Sequence, residues 1–571
     1  MADEIYTVAY DSETSADERA KPVPADIAIG IDIGTSKCSF AIWNGAEVEV
    51  LQNTQIQSTI PSHVLFKDEM PPEGFSYEVP RSGAEILSGS DAFNMKRLIG
   101  RVDTDPVVKS SKMLPFMVQT FGIGQIPLIA VPVNNVWRST TPEEVLAIFL
   151  AELKENAEHK LKRPIRKAVL TVPISFSRLQ LTRIEQACAM AGIHVFRLMP
   201  EPTAVALLYA QQQQQQIIHE NMGSGMEKVA LIFSMGAGFC DVAITITAGG
   251  VSQIKALLGI PVGGEDMLQN IIHYLFPDFG SLEKMKSNRL LRIAVQNAIH
   301  ELSSQTSVEV KVDLRDGKIK SRSLTRVEFE EVNHKVFVKC EKLIAQCLLD
   351  ARLTAEDLSD VILVGGCSSV PKIRSLVLSL CKKEDSYDGI DPLEASVRGA
   401  ATEGAIASGA SDASGSLDLL TIQVTTTSLG IRVDGGDFVP IIRRNTSVPV
   451  RKEMVFTTAN DDQAEALVVV YEGESRRAEE NIILGYFKIT GIPSGPRGSA
   501  EVGICMDVDT SNVLRVYGGA HLLRTQQAVS PFLEVRMPMA DIGQGWSVQA
   551  LVKIYGSTMD LAATPPNEVQ K

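Results

Sequence analysis

Two segments of this chain repeat one strand-turn-strand pattern, which constrains the fold more than any other feature. The first runs from Ile27 to Ile42, with its turn beginning at Asp32. The second runs from Val229 to Ile246, with its turn beginning at Ser234. Aligning the two turns also matches the glycines at 34 and 236 and the cysteines at 38 and 240. The match indicates an internal duplication, and so two related lobes.

The turns of these hairpins are suited to phosphate and metal binding. Small residues there allow backbone N–H groups to close around phosphate oxygens, and carboxylates at strand ends hold a hydrated divalent cation. Asp32 and Asp241 have the side chains for this role, but Ser234 does not.

Composition limits the class of protein. A chain of 571 residues, with 44% hydrophobic and 22% charged residues, is too long for one core and is typical of a soluble multidomain protein. The net charge of -14 argues against a nucleic-acid partner. Eight cysteines without C-x-x-C spacing favour a reducing compartment. No apolar run reaches the ~20 residues of a membrane span, so we expect a cytoplasmic protein without membrane contact.

The pattern changes along the chain. We predict a disordered acidic segment over 1–26, α/β layers over 27–409, a small-residue linker over 410–423 and an antiparallel β-domain over 424–520. The segment 521–571 shows no long helical pattern and is predicted to be a short tail. The glutamine run 211–216 is predicted to be a solvated helix extension or loop.

Several short motifs, in this order, resemble the heat-shock 70 kDa chaperone family, and most closely its truncated, lidless cytosolic plant members. They are Lys96-Arg-Leu-Ile-Gly-Arg101, Thr171-Val-Pro173, Glu201-Pro-Thr-Ala204, Gly263-Gly-Glu-Asp266, Val364-Gly-Gly366, Val470-Tyr-Glu-Gly-Glu474 and Leu484-Gly485. The resemblance implies an α/β actin-like ATPase domain with duplicated ribonuclease H-like lobes, followed by an antiparallel β-sandwich that binds peptides.

The resemblance also assigns a nucleotide site for ATP or ADP with Mg. Lys96, Glu201, Asp32 and Asp241 are the implied catalytic residues, and Asp32 and Asp241 would hold Mg through water. The alternatives are a solvated helix charge for Lys96, a cap for Glu201 and a turn former for Asp32. The implied nucleotide-binding residues are Gly34, Thr35, Ser36, Gly236, Gly238, Gly263, Gly264, Glu265, Ser303, Gly365 and Gly366.

This chain departs from the family pattern at the catalytic loop. Ser234 replaces an aspartate and Phe239 replaces a small hydroxyl residue, so we expect slow hydrolysis. At the nucleoside end, His300 and Ser369 stand where the family has arginines that stack on adenine. Gln296 and Ile299 replace the acid and lysine that contact the ribose. A weakened nucleotide site is the expected result.

Coupling between the domains is also expected to change. Pro173 matches the family's switch proline, but Arg178 and Leu181 stand at the polar and arginine positions after it. The linker Asp418-Leu-Leu-Thr-Ile-Gln423 lacks the family's unbroken leucine run. We therefore predict that ATP changes peptide affinity by less than about fivefold.

In the β-domain the resemblance implies a groove for extended apolar peptides. Its implied residues are Leu429, Ile431, Val433, Phe456, Ala459, Ala466 and Val468, and the alternative is that they simply form the β-core. The family's helical lid and acidic tail have no counterpart in the sequence, so fast peptide release is expected. J-domain co-chaperones and nucleotide exchange factors are implied partners, beside unfolded polypeptides.

The sequence therefore predicts a chaperone that binds ATP and exposed apolar segments, with a weakened ATPase. The alternative is a nucleotide-insensitive holdase, or a regulator of a full-length chaperone, on a degenerate ATPase scaffold. An actin-fold sugar kinase is disfavoured by the β-domain.

Overall fold

The computed structural model describes residues 26–52, 58–67, 77–79, 90–111, 114–120, 126–133, 136–220, 226–277, 285–313, 319–410, 415–522, 525–529, 532–534 and 561–562. The predicted disordered segment 1–26 lies outside these residues except for its last position. Most of the predicted tail 521–571 also lies outside them.

The first lobe is built on a mixed sheet with strand order β12-β11-β1-β2-β3, and β4 pairs with β2. Strands β1, β11 and β12 are parallel, whereas β1, β2 and β3 form an antiparallel meander. Its elements are β1 (Ile29–Ile33), β2 (Lys37–Trp43), β3 (Val48–Val50), β4 (Ile60–Pro61), β5 (His63–Phe66), β6 (Tyr77–Glu78), β7 (Ser90–Phe93), α1 (Met95–Leu98), α2 (Pro106–Ser110), β8 (Met117–Gln119), β9 (Leu128–Val133), β10 (Val136–Thr140), α3 (Pro142–Leu161), β11 (Lys167–Val172), α4 (Arg178–Met190) and β12 (His194–Pro200).

The second lobe repeats this arrangement. Its strands β13, β14 and β15 form an antiparallel meander, and β18 runs parallel to β13. Its elements are α5 (Glu201–Glu220), β13 (Lys228–Met235), β14 (Cys240–Ala248), β15 (Val251–Ile260), α6 (Gly264–Leu275), α7 (Met285–Glu301), β16 (Ser307–Asp313), β17 (Ile319–Thr325), α8 (Arg326–Val332), α9 (His334–Ala351), β18 (Asp360–Val364) and α10 (Pro371–Leu380). The next helix, α11 (Ala395–Ala407), returns to the first lobe and packs on β1 and β2.

The two hairpins of the sequence repeat occupy equivalent places in these sheets. Asp32 pairs with Ser39 across β1 and β2, and Ser234 pairs with Asp241 across β13 and β14. Both hairpins are almost wholly buried because helices cover the sheets, which explains their unbroken apolar runs. The turns therefore lie at the strand ends, facing the space between the lobes.

The β-domain consists of two antiparallel sheets, β21-β20-β23-β24 and β27-β26-β25-β22-β29, with β28 paired to β26. Their facing side chains form one shared core. The strands are β19 (Leu420–Ile422), β20 (Leu429–Arg432), β21 (Phe438–Ile442), β22 (Val450–Thr458), β23 (Glu465–Glu472), β24 (Ile482–Thr490), β25 (Ala500–Val508), β26 (Leu514–Leu522), β27 (Thr525–Val529), β28 (Phe532–Glu534) and β29 (Leu561–Ala562). Of these, β19 belongs to the linker and pairs with β15 of the second lobe.

The architecture agrees in outline with the predicted fold class, since α/β lobes precede antiparallel sheets. Strand β26 continues past the predicted domain boundary at residue 520, and β27 and β28 pair with it. Within the described ranges, no helix combines the length and apolarity that crossing a bilayer requires.

Candidate functional site

A cleft of about 300 Å³ lies between the two lobes. Both hairpin turns open into it, together with the glycine turn after β18 and the start of α6. Thirteen of the predicted nucleotide-site residues line this cleft: Asp32, Gly34, Thr35, Ser36, Lys96, Glu201, Gly236, Gly238, Gly264, Glu265, Ser303, Gly365 and Gly366. Asp241 and Gly263 do not line it, but Asp241 pairs with the lining residue Ser234 and Gly263 precedes the lining residue Gly264.

Glycines make the close approach of the two lobes possible. A Cβ at Gly238 would lie 2.3 Å from the hydroxyl oxygen of Thr35, so the turn of the second lobe rests against the turn of the first. Within the second lobe, Gly365 has φ of +83°, and a Cβ there would lie 2.4 Å from the carbonyl oxygen of Met235, so this glycine allows the turn after β18 to pack against the end of β13. Gly236 differs, because its Cβ position faces open space. Its backbone is therefore the part of the second turn that a ligand can approach most closely.

Charged side chains from separate elements meet at the floor of the cleft. Lys96 Nζ donates a hydrogen bond to Glu201 Oε1 at 2.7 Å, which joins α1 to the first residue of α5. The hydroxyl of Thr171, on β11, donates to Asp32 Oδ1 at 2.5 Å. Asp241 is buried behind this pair, and its Oδ2 accepts a hydrogen bond from the backbone N–H of Ile174 at 3.1 Å.

The electrostatics of the cluster follow from burial and mutual repulsion. Burial, together with the charge of Glu201, raises the pKa of Asp32 and raises that of Asp241 well above its ordinary value. For Lys96, burial opposes the charged form, but Glu201 and Asp32 outweigh it and raise the pKa. Three carboxyl groups thus share one ammonium group, so the cluster carries excess negative charge when ionised.

This donor set fits a hydrated divalent cation. Asp241 Oδ1 is buried and, within the described part of the chain, has no hydrogen-bond partner. A water bound to a cation would satisfy this oxygen, and the cation would relieve the repulsion among the carboxylates. No three His, Cys, Asp or Glu side chains among the described residues are close enough to hold a bare metal ion. Contact through water, as the sequence predicts, is therefore the suitable mode.

The two departures in the second turn have clear structural roles. Ser234 is buried, and its hydroxyl lies 3.4 Å from Glu201 Oε2, so it adds a weak hydrogen bond without adding charge. Phe239 packs edge-on against Phe176, with ring centroids 5.5 Å apart. Lys96 Nζ lies 5.9 Å from the centre of the same ring. Phe239 therefore shields one side of Lys96 from the cleft.

The far end of the cleft is less charged than the floor. Gln296, Ile299, His300 and Leu393 line it, and burial with the charge of Lys37 lowers the pKa of His300. Ser369, the other altered position, ends the short turn after β18 and is not among the lining residues.

Sequence reasoning missed Arg97, which lies next to Lys96 in the quoted motif. Arg97 is 4% exposed and forms two hydrogen bonds of 3.0 Å with the carboxylate of Asp266, across the cleft on α6. Asp266 also accepts the backbone N–H of Gly263 at 2.8 Å. One ion pair thus ties the lobes together and fixes the start of α6.

The predicted peptide residues lie together in the β-domain, but none is open to solvent. Leu429, Ile431, Val433, Phe456, Ala459, Ala466 and Val468 are all 6% exposed or less. All except Ala459 belong to the core shared by the two sheets. Their burial agrees with the alternative that they form the β-core, and the edge of β22 beside Phe456 and Ala459 is occupied by β29.

The β-domain contacts the first lobe through Arg178, at the start of α4, which the sequence pattern marks as a lost coupling position. Its backbone N–H donates to Glu472 Oε1 at 2.8 Å, and its guanidinium donates to the carbonyl and side chain of Asn512. A second contact joins Arg444 to Asp350 on α9 at 2.9 Å. Charged contacts thus hold the domains together at two places.

The glutamine run has more contacts than predicted. It lies within α5, and Gln211 and Gln213 are buried. Gln211 Nε2 donates to the carbonyl of Ser416, within the linker, at 3.2 Å. Because α5 begins at Glu201, one helix connects the charged cluster to the linker.

Comparison with known proteins points to one family. The family model described as Hsp70 protein matches residues 28–531. Heat shock 70 kDa protein 8 of Arabidopsis thaliana is 57% identical over 563 residues, covering 98% of this chain and 99% of that protein. Heat shock cognate 70 kDa protein 3 of Dictyostelium discoideum is 34% identical over 499 residues, covering 86% and 77%. A ribosome-associated molecular chaperone of Saccharomyces cerevisiae is 34% identical over 501 residues, covering 86% and 79%.

Proposed function

The chain belongs to the Hsp70 family, and we propose that it binds Mg-ATP between its lobes and extended apolar peptides in its β-domain. It is a chaperone of the heat-shock 70 kDa class. In this proposal the lobes form an actin-like ATPase domain and the antiparallel sheets form a β-sandwich peptide-binding domain. Unfolded polypeptides are its clients, and J-domain co-chaperones and nucleotide exchange factors its partners. A cytoplasmic location suits its eight free cysteines.

The observation that supports nucleotide binding best is the charged cluster beneath two glycine turns. Lys96, held by Glu201, would orient the γ-phosphate and the attacking water, because its ammonium is fixed and stays charged. Asp32, held by Thr171, and Asp241, held by the backbone of Ile174, would bind the waters of the cation. Mg²⁺, when bound, supplies the positive charge that these carboxylates lack.

Slow hydrolysis is part of the proposal. Phosphoryl transfer depends on charge held in position around metal and water. Ser234 leaves one position of that arrangement neutral, and Phe239 puts an apolar ring beside Lys96. At the nucleoside end, Ile299 and His300 offer no permanently charged plane for stacking on a base. The affinity for nucleotide and the rate of ATP hydrolysis are therefore both expected to be low.

A substitution at Gly236 tests nucleotide binding in the full-length chain. An alanine there meets no protein atom, so the fold and melting temperature should not change. The added methyl group would occupy the space that a phosphate needs. We expect Mg-ATP affinity, measured by calorimetry, to weaken by about tenfold or more, which is ~1.4 kcal/mol. Equal affinity in Gly236→Ala and the parent would contradict the site.

The rival proposal, a nucleotide-insensitive holdase, is favoured by Ser234 and Phe239. The effect of Mg-ATP on the rate of peptide release distinguishes this holdase from a chaperone that cycles with ATP. The off-rate of a labelled Leu-rich peptide should change by less than about fivefold on adding saturating Mg-ATP, which is under ~1 kcal/mol of coupling. A much larger acceleration would establish a cycling chaperone and exclude the holdase. If the unsubstituted chain does not bind Mg-ATP in calorimetry, the ATP-dependent proposal fails and the holdase function is supported.

A further inference from the structure

The short strand β29 pairs with the edge of β22 in the β-domain. Ala562 lies opposite Thr457, and Leu561 lies opposite Thr458, in antiparallel register. The other edge of β22 is taken by β25, so β29 closes the free side of this sheet. Strand β29 also lies close to β23, which follows β22 in the sequence and belongs to the facing sheet. A segment near residue 560 thus returns to a strand that begins at residue 450.

The paired residues of β22 lie between two positions of the proposed peptide groove. Phe456 precedes Thr457, and Ala459 follows Thr458. An extended peptide binds a sheet edge by main-chain hydrogen bonds, and its side chains supply specificity. A client strand at this part of β22 and β29 would compete for the same main-chain groups.

The sequence around β29 has the composition of a client. Leu561, Ala562 and Ala563 form a short apolar run, followed by Pro565 and Pro566. Prolines have no N–H to donate to a ladder, so they limit the pairing to a few residues. Such a short strand pairs weakly enough to be exchanged for another peptide.

We propose that the segment at Leu561 and Ala562 is an intramolecular occupant of the peptide site, and that client peptides must displace it. The inference rests on the proposed peptide-binding function of the β-domain. A tethered segment experiences an effective concentration in the millimolar range. Even a weakly pairing strand can therefore hold the edge of β22 until a better peptide arrives.

The test uses the full-length chain with Ala562→Pro, and Glu568→Pro as a matched control outside the described residues. Proline at 562 removes the backbone N–H of that residue and fixes φ at about −65°, which fits an extended antiparallel strand poorly, so it should release the segment. Hydrogen exchange of the peptide covering 450–459 should become faster in Ala562→Pro only. Anisotropy with a labelled Leu-rich peptide should show affinity about threefold or more tighter in that variant, as expected if the tail occupies two thirds or more of the sites.

The possible outcomes distinguish the proposed occupancy by the tail segment from the proposed peptide binding by the β-domain. Unchanged exchange in Ala562→Pro would mean that β29 is not paired in solution, which overturns the inference. Faster exchange with unchanged, measurable peptide affinity would mean that the tail does not compete, and would overturn it equally while leaving peptide binding intact. If no variant binds the peptide, the proposed function fails and the inference fails with it. If the hydrogen-exchange protection of residues 450–459 in the parent disappeared on dilution, the paired segment would come from a second copy of the chain. That result would contradict an intramolecular occupant.

Discussion

Restoring a carboxylate at position 234 should accelerate ATP hydrolysis. The Ser234 hydroxyl already lies 3.4 Å from Glu201 Oε2 and is buried, so an aspartate there would share the same space. Two unit charges about 4 Å apart repel by ~4 kcal/mol at an effective dielectric constant near 20. Without a divalent cation, Ser234→Asp should therefore destabilise the lobes by up to that amount. With Mg²⁺ present, the same charge would help to position the cation and water.

Phe239→Thr is needed in the same variant because the ring stands beside Lys96. Removing a ring packed against Phe176 costs about 3 kcal/mol of stability, so the assay belongs well below the melting temperature. We expect single-turnover hydrolysis to be about tenfold or more faster than in the parent, which is ~1.4 kcal/mol of barrier.

The matched control is Ser234→Asn with Phe239→Thr, which has the same size and no charge. The aspartate variant should melt at a lower temperature than this control without Mg²⁺, and the difference should shrink when Mg²⁺ is added. If the aspartate variant hydrolyses ATP no faster than the asparagine control, the missing charge does not explain slow hydrolysis, and the reasoning is wrong.

Three further predictions concern the charged cluster and the linker. Asp241→Asn should raise the melting temperature near neutral pH without Mg²⁺, because burial and repulsion raise the pKa of Asp241 and the ionised carboxylate destabilises the fold. This gain in melting temperature should shrink as the pH falls and the carboxyl of the parent takes up a proton. Equal melting temperatures of variant and parent at neutral pH would contradict the prediction. Arg178→Ala should remove the guanidinium contacts with Asn512 and speed proteolysis of the linker, whereas Arg183→Ala, on the same helix, should not. Gln211→Ala should have the same effect on linker proteolysis through loss of its hydrogen bond to Ser416 in the linker, and an unchanged cleavage rate would show that this bond does not hold the linker.

The sequence by itself was sufficient to predict the two hairpins and their turns. The repeat from Asp32 and Ser234 is a local pattern, since glycines and buried apolar runs lie within about ten residues of each other. Such patterns are dictated by backbone geometry, and the chain carries them at fixed spacing. The other cleft residues, such as Lys96 and Glu201, were expected from the resemblance of short motifs to the heat-shock 70 kDa family, because no local pattern places them beside the turns.

Only the tertiary structure decided which distant groups meet. Lys96 and Glu201 are 105 positions apart, and Gln211 and the linker carbonyl it binds are 205 apart. Arg178 looked like a lost coupling residue until its contact with Glu472, 294 positions away, was known. The pairing of β29 with β22 likewise has no local signature. A sequence specifies its short-range periodicity directly, but the partner of a buried charge or a strand edge is selected by the packing of the whole chain.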